Sequence, residues 1–311
     1  MPDGGEDDGQ VVRVVGATPP IPAFDHGAYG ELMGFVETEH AREASGSRFA
    51  SLMGAAVILE LALVGWVTEQ LVAEGFTPVV PPVLVREHTM VEAGFFPTDR
   101  NQVYDVDGGE LFLVGTSEIS LSTLHRGEIL DPASLPRRYA GISSCFRREA
   151  GTHGKDTTGI FRVHQFDKVE MFSFADPGSS AGEHERLLAI EESILGALGL
   201  PYRVVNIAAG DLGAAAAKKF DLEVWLPSEQ QYRELTSCSN YREFSARRLQ
   251  TRVRSDGPGG NELVHTLNGT ACAVGRTLVF LWEHHQDPGG AFVVPDVLRS
   301  RTGFDRIDRP T

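Results

Sequence analysis

The 311-residue sequence predicts an α+β fold: an antiparallel β-sheet flanked by helices. Three observations lead there. Segments with strand-like alternation dominate the centre of the chain. Helical periodicity is confined to a few long stretches around them. No strand–helix–strand unit recurs, as a doubly wound parallel sheet would require.

Taken in order, residues 1–20, "MPDGGEDDGQVVRVVGATPP", are acidic and rich in glycine and proline, and read as a disordered tail. Residues 21–303 read as one catalytic-sized domain and 304–311 as a C-terminal tail. "FASLMGAAVILELALVGWVT", Phe49 to Thr68, is apolar enough to suggest a membrane span, with Glu60 its only charge. A carboxylate at mid-bilayer costs about 2.5–3.5 kcal/mol. The run also continues into polar "EQLVAEGF", with Gly75 placed as a C-cap. A long buried helix and no membrane are expected. The prolines of "FTPVVPPVLV" suit an edge or interface strand. "LFLVGTSE", Leu111 to Glu118, reads as a strand with a polar end, and "ISLSTLHRGEI" as a short helix or turn.

Residues 145–170, "CFRREAGTHGKDTTGIFRVHQFDKVE", read as two strands joined by a glycine-rich connection. Apolar residues at helical spacing mark 182–199 as a helix. Alternation returns in "PYRVVNIA", "FDLEVWLP", "YRELTSCS" and "ELVHTLNGT", before a closing helix in "ACAVGRTLVFLWEHHQ".

Hydrophobic residues at 41% and charged residues at 23% are ordinary globular values. A net charge of -15 argues against a broad nucleic-acid-binding surface but leaves room for a local basic site. Cys145, Cys238 and Cys272 show no CxxC spacing, and no signal peptide is visible, which together suggest a reduced cytoplasm. His284 and His285 are adjacent and point apart on a helix, so a structural zinc site is not expected.

Chemistry concentrates in the strands, where residues two and four apart share a face. From Phe161 onward that rule places Arg162, His164, Phe166, Lys168 and Glu170 on one side. Phe161, Val163, Val169 and Met171 fall on the apolar other. Arg147 and Glu149 share a face, as do Thr116 with Glu118, Glu234 with Thr236, and Asn268 with Thr270. Arg276 follows in the closing helix. For any one of these residues a solvated sheet face with cross-strand ion pairs is the plainer reading. Together they match a nucleotide and a small zwitterion: arginines for phosphate and carboxylate, an aromatic ring for a base, carboxylates for Mg²⁺ and ammonium. Gly151, Gly154 and Gly159 free the connection to approach a ligand.

These segments resemble the seryl-tRNA synthetase family of class II aminoacyl-tRNA synthetases, across about residues 23–303. "CFRREAGTHGKDTTGIFRVHQFDKVE" is similar to the second class-defining motif, "LNGTACAVGRTLVFLWEHHQ" to the third, and "GFTPVVPPVLV" to the first, a dimer-interface element. "GSRF", "TSE", "GDLGAAAAKKFDLEVWLP" and "YRELTSCSN" fit in order.

The resemblance implies a class II catalytic fold, ATP and Mg²⁺ as cofactors, L-serine as substrate and a homodimer. Arg147 would meet the α-phosphate and the serine carboxylate. Glu149 would read the adenine edge and Phe166 stack on its ring, with Val163 beside the nucleotide. Arg276 would cover the other ring face and reach the γ-phosphate. Glu234 and Ser237 would hold Mg²⁺. These two are three apart, so a bulge must bring them to one side. Thr116, Glu118, Glu170, Asn268 and Thr270 would bind serine, Glu170 facing its ammonium. Arg147, Arg276 and Glu234 would carry catalysis by positioning and charge.

Departures from the family pattern are Gly115 where proline is usual, Cys272 at an aliphatic place, and the plain "GAAAAKK". The family opens with a tRNA-gripping helical arm, whereas the similarity here starts near "PAFDHGAYG". From this the expected acceptor is a carrier-protein thiol or a small amine, met by the glycine-rich connection. The alternatives are an armless ligase that charges tRNA, and a non-catalytic paralogue that binds serine or ATP.

Overall fold

The computed structural model describes residues 2–5, 8–150, 159–255 and 260–310. Its centre is an eight-stranded sheet. In chain order the strands are β1 (Gln10–Val15), β2 (Thr77–Val79), β3 (Arg137–Phe146), β4 (Gln165–Ala175), β5 (Tyr202–Asn206), β6 (Lys218–Leu226), β7 (Gln231–Arg242) and β8 (His265–Ala273). In space they run β1-β5-β6-β7-β8-β4-β3-β2. Every pairing is antiparallel except β2 with β3, at the edge that the prolines of "FTPVVPP" predict.

Side-chain alternation along β4 divides the sheet into two faces. Val169 and Met171 point into the main core, with Leu267, Ala271, Leu222 and Val224. That core is covered by α1 (Ala55–Ala73), α4 (Ser180–Ala197) and α6 (Val274–His284). Phe172 and Phe174 belong to a second cluster, under α3 (Glu118–Ser122) and α5 (Phe244–Leu249). On that same face Phe166, Lys168 and Glu170 remain open to a cleft. A third cluster, around Phe96, Phe112 and Met90, packs beneath α2 (Glu87–Ala93) beside the cleft.

Two bulges aim side chains into that cleft. Leu222 pairs with Thr236 but Glu223 with Glu234, so Leu235 is the extra residue in β7. Val169 pairs with Cys272 but Glu170 with Thr270, so Ala271 is extra in β8. Each extra residue reverses the alternation locally.

Several expectations need correction. Residues 10–15, placed in a disordered tail, form β1 and pair with β5, because the β-branched valines of "VVRVV" favour an extended strand that adds to the sheet edge. Arg306–Ile307, placed in the C-terminal tail, pairs with Phe292–Val293, and Ile307 packs on the core. The helix from Ala55 is buried on one face only. Leu59, Leu63, Val67 and Leu71 are fully enclosed, while Leu61 is 65% and Val72 50% exposed. It is the one described helix long and apolar enough to cross a membrane, by length and composition alone.

Candidate active site

The cleft forms where β4, β7 and β8 lie side by side and α6 begins. Every residue nominated from sequence lines it: Thr116, Glu118, Arg147, Glu149, Val163, Phe166, Glu170, Glu234, Ser237, Asn268, Thr270 and Arg276.

At one end, Arg147 follows β3. Its Nε donates to the Gly115 carbonyl at 3.2 Å, and its guanidinium carbon stands 5.3 Å from the centre of the Phe166 ring. Anchoring through Nε leaves the terminal nitrogens with further donors for an anion. Glu149 is held by an ion pair with Arg162 at 2.5 Å and has a left-handed φ of 51°. Arg147 and Glu149 therefore share the cleft through an irregular turn, since β3 stops at Phe146.

The strand expected from Phe161 starts only at Gln165. Residues 160–164 approach as irregular backbone, so Phe161 and Val163, assigned to an apolar far face, also border the cleft. Phe161 has two cations over its ring, with Arg276 at 5.1 Å and Arg233 at 4.6 Å from the ring centre. Arg276 is further fixed by donating from Nε to the Phe161 carbonyl and from Nη1 to the Glu234 carbonyl. Burial lowers its pKa from the ordinary value, although Glu234 nearby opposes this.

The deep end is acidic. Glu118 opens α3, and its main-chain N–H donates to Thr116 Oγ1 at 3.3 Å. Thr116 and Glu118 thus meet in a turn; the strand before them ends at Leu113. Burial, then the neighbouring Glu170 carboxylate, push Glu118 up to about 7 against hydrogen bonds from Asn268 and Tyr241. Burial also raises Glu170, which bonds Thr270 and pairs with Lys168.

The bulge at Leu235 brings Glu234 and Ser237 to one side, as their spacing demanded. Asp221, facing Ser237 across the ladder, is pushed up to about 7 by burial and by the Glu234 carboxylate, with Lys219 opposing. Among the described residues no three His, Cys, Asp or Glu side chains converge as a ready-made metal cage. A carboxylate and a hydroxyl with a second carboxylate behind them nevertheless suit a hard cation that takes its other ligands from phosphate and water.

Sequence reasoning gave no role to Lys168, Lys219, Tyr241 or Asp221. The signal for Lys168 was present, since it sits between Phe166 and Glu170 at strand spacing. Tyr241 and Asp221 become visible only through cross-strand neighbours. The cysteines are buried and free, and burial raises their thiols. His284 and His285 bond the carbonyls of Trp225 and Leu198. Gly159, at φ 62°, has His26 within 2.9 Å of any added Cβ. Gly151, Gly154 and the segment expected to face the acceptor lie outside the described residues.

Residues 98–285 match the tRNA synthetase class II core domain (G, H, P, S and T). Serine--tRNA ligase of Acidothermus cellulolyticus is 52% identical over 307 residues, 98% of this chain and 72% of that protein. The chain belongs to the seryl-tRNA synthetase family. The Streptomyces coelicolor serine--tRNA ligase is 49% identical, covering 100% of this chain and 74% of the relative. Among solved structures, seryl-tRNA synthetase from Pyrococcus horikoshii complexed with ATP superposes with TM-score 0.93 at 38% identity, covering 100% of this chain and 74% of that one. Cytoplasmic serine-tRNA ligase from Naegleria fowleri in complex with AMP gives 0.94 at 35%, covering 99% and 74%. The antiparallel sheet flanked by helices is thus the class II synthetase fold, as the motifs implied.

Proposed function

We propose that the cleft activates L-serine with ATP, forming seryl-adenylate and pyrophosphate, and that the seryl group then passes to tRNA. The observation that carries this is the meeting of all twelve nominated side chains in one pocket of a seryl-tRNA synthetase fold. Phe166 offers a stacking face for adenine, and Glu149 an acceptor for its amino group. Arg147 stands between the nucleotide end and the acidic end, where an α-phosphate and a carboxylate would meet. Arg276 covers the opposite side. Glu170, Thr116 and Thr270 would take the ammonium and hydroxyl of serine. Unpaired polar groups would then penalise apolar analogues.

The serine carboxylate is ionised at neutral pH and needs no general base. Its oxygen bonds to the α-phosphorus as the bond to the bridging oxygen breaks, and pyrophosphate leaves with that electron pair. Arg147 and Arg276 would hold reactants in line and neutralise developing charge. Mg²⁺, on Glu234 and Ser237, would supply further charge neutralisation on the phosphates.

The preference for a carrier thiol or small amine gives way to tRNA as acceptor. The relatives at 52% and 49% identity across essentially the whole chain are serine--tRNA ligases. A homodimer is proposed on the exposed apolar strip of α1, Ile58, Leu61 and Val72, together with Val80 after β2, which is 81% exposed. Three buried free cysteines suit a reducing cytoplasm. The test is charging of purified serine tRNA with labelled serine. Formation of seryl-tRNA supports the reading. Serine-dependent ATP consumption without charging, on tRNA that a second synthetase charges, would return the acceptor to a thiol or amine.

A further inference from the structure

Lys168 lies inside the acidic end of the cleft, 6% exposed. Its Nζ donates to Thr116 Oγ1 at 2.8 Å and forms an ion pair with Glu170. Both partners belong to the proposed serine site. Glu118 approaches Glu170 from α3, close enough that the Glu170 carboxylate raises the cost of ionising Glu118. Two buried carboxylates facing one substrate ammonium carry one negative charge too many. A buried pair of like charges relieves the excess by keeping a proton. A fixed cation beside the pair offsets part of that excess, although Glu118 is still held up at about 7.

We propose that Lys168 is a positioning residue that sets the charge of the serine pocket. With Glu118 and Glu170 ionised and Lys168 charged, the pocket carries a single net negative charge, matched to one ammonium group. Lys168 also holds Thr116 and Glu170 in place before substrate arrives. The inference rests on the serine-activation reading of the same cleft, and deepens it.

The other charged or titratable groups around the pair are Arg147 after β3, Cys145 on β3, Tyr241 on β7 and Glu191 from α4. Arg147 is anchored on Gly115 and Phe166, and its charge also lowers the cost of ionising Glu170. Burial raises Cys145 and Tyr241 from values already above 7, so both stay neutral there, and burial raises the Glu191 carboxyl well above its ordinary value. Lys168 is therefore the cation in direct contact with Glu170, and its charge also favours ionised Glu118.

The test compares wild type, K168M, E118Q and K168M/E118Q on the full chain, by serine-dependent ATP–pyrophosphate exchange across pH. K168M is expected to raise the KM for serine about tenfold or more while leaving the KM for ATP within about twofold. The acid limb of kcat/KM for serine should move to higher pH, because the carboxylates now hold a proton longer. The double variant, again with one net negative charge, should bring the limb back. Equal losses for serine and ATP, or an unmoved acid limb, would overturn the proposal.

Melting temperature measured between pH 5 and 8 reads the same charge count without substrate. K168M should lose more stability with rising pH than wild type does, and K168M/E118Q should cancel the extra loss. Identical pH dependence in wild type and K168M overturns the charge role, whatever the exchange assay gives. Absence of serine-dependent exchange in wild type sinks the serine-activation reading instead, and the melting series still decides the role of Lys168.

Discussion

Arg276 donates from Nη1 to the main-chain carbonyl of Glu234 at 3.2 Å, tying the first turn of α6 to the strand that carries the proposed metal ligands. The contact fixes a cation across the cleft from Arg147 before any substrate is bound. Replacing Arg276 by alanine should lower kcat for pyrophosphate exchange by about a hundredfold or more, the scale of losing one preorganised charge donor. Thermal stability should change little, since the side chain borders open cleft. Exchange kinetics beside a melting curve check both parts.

The bulge at Leu235 is what lets Glu234 and Ser237 face one ligand. Ser237→Ala should raise the Mg²⁺ concentration for half-maximal exchange by about tenfold, with the KM for serine little changed. Titration of Mg²⁺ at saturating ATP and serine measures it. An unchanged Mg²⁺ requirement would remove Ser237 from the metal site.

Glu118 gives a pH prediction in which stability and function oppose each other. Its folded-state pKa of about 7 lies above the ordinary carboxylate value of 4.5, so the folded chain binds the extra proton. Between those values the folded state holds more protons than the unfolded one, and stability falls as pH rises from 4.5 through 7. The loss is about 3 kcal/mol when complete. Glu118→Gln should therefore stabilise the substrate-free chain at pH 8 while weakening serine activation. Urea unfolding at pH 5 and pH 8 tests the sign.

Gly269 sits between Asn268 and Thr270, over α4. An added Cβ would lie 2.8 Å from Glu191 Oε1, 3.1 Å from Cys238 Cβ and 3.1 Å from Met171 Cε. Gly269→Ala should cost about 1–3 kcal/mol by overpacking. It should also raise the KM for serine, because both neighbours of Gly269 line the cleft. Denaturant unfolding measures the first effect and exchange kinetics the second.

Leu61, 65% exposed at the centre of the apolar strip on α1, tests the proposed dimer face. Leu61→Glu should convert a dimer to a monomer in light scattering without unfolding it. Wild type that is already monomeric at micromolar concentration would contradict that interface.

Much of the cleft was legible because its residues lie on strands, where a period of two ties sequence spacing to a shared face. Phe166, Lys168 and Glu170 on β4 and Asn268 with Thr270 on β8 obey it directly. Glu234 and Ser237 violate it, and the violation itself demanded a bulge. Legibility ended where backbone is irregular. Phe161 and Val163 follow no strand period because β4 begins only at Gln165: both pack on the main core, as the rule had it, and also border the cleft, which the rule did not show. β1 was hidden by its acidic, glycine-rich surroundings: a short edge strand is stabilised by its ladder to β5, which composition does not record. The charge balance among Lys168, Glu118 and Glu170 is tertiary, since Glu118 arrives from a helix fifty residues away in sequence.

Serine-dependent ATP–pyrophosphate exchange, with Mg²⁺ and each standard amino acid in turn, decides whether the cleft activates serine. Exchange with serine should exceed that with threonine, alanine and glycine by at least about tenfold in kcat/KM, and Arg147→Ala should abolish it. Exchange with none of them, from folded chain that still binds ATP, would contradict serine activation.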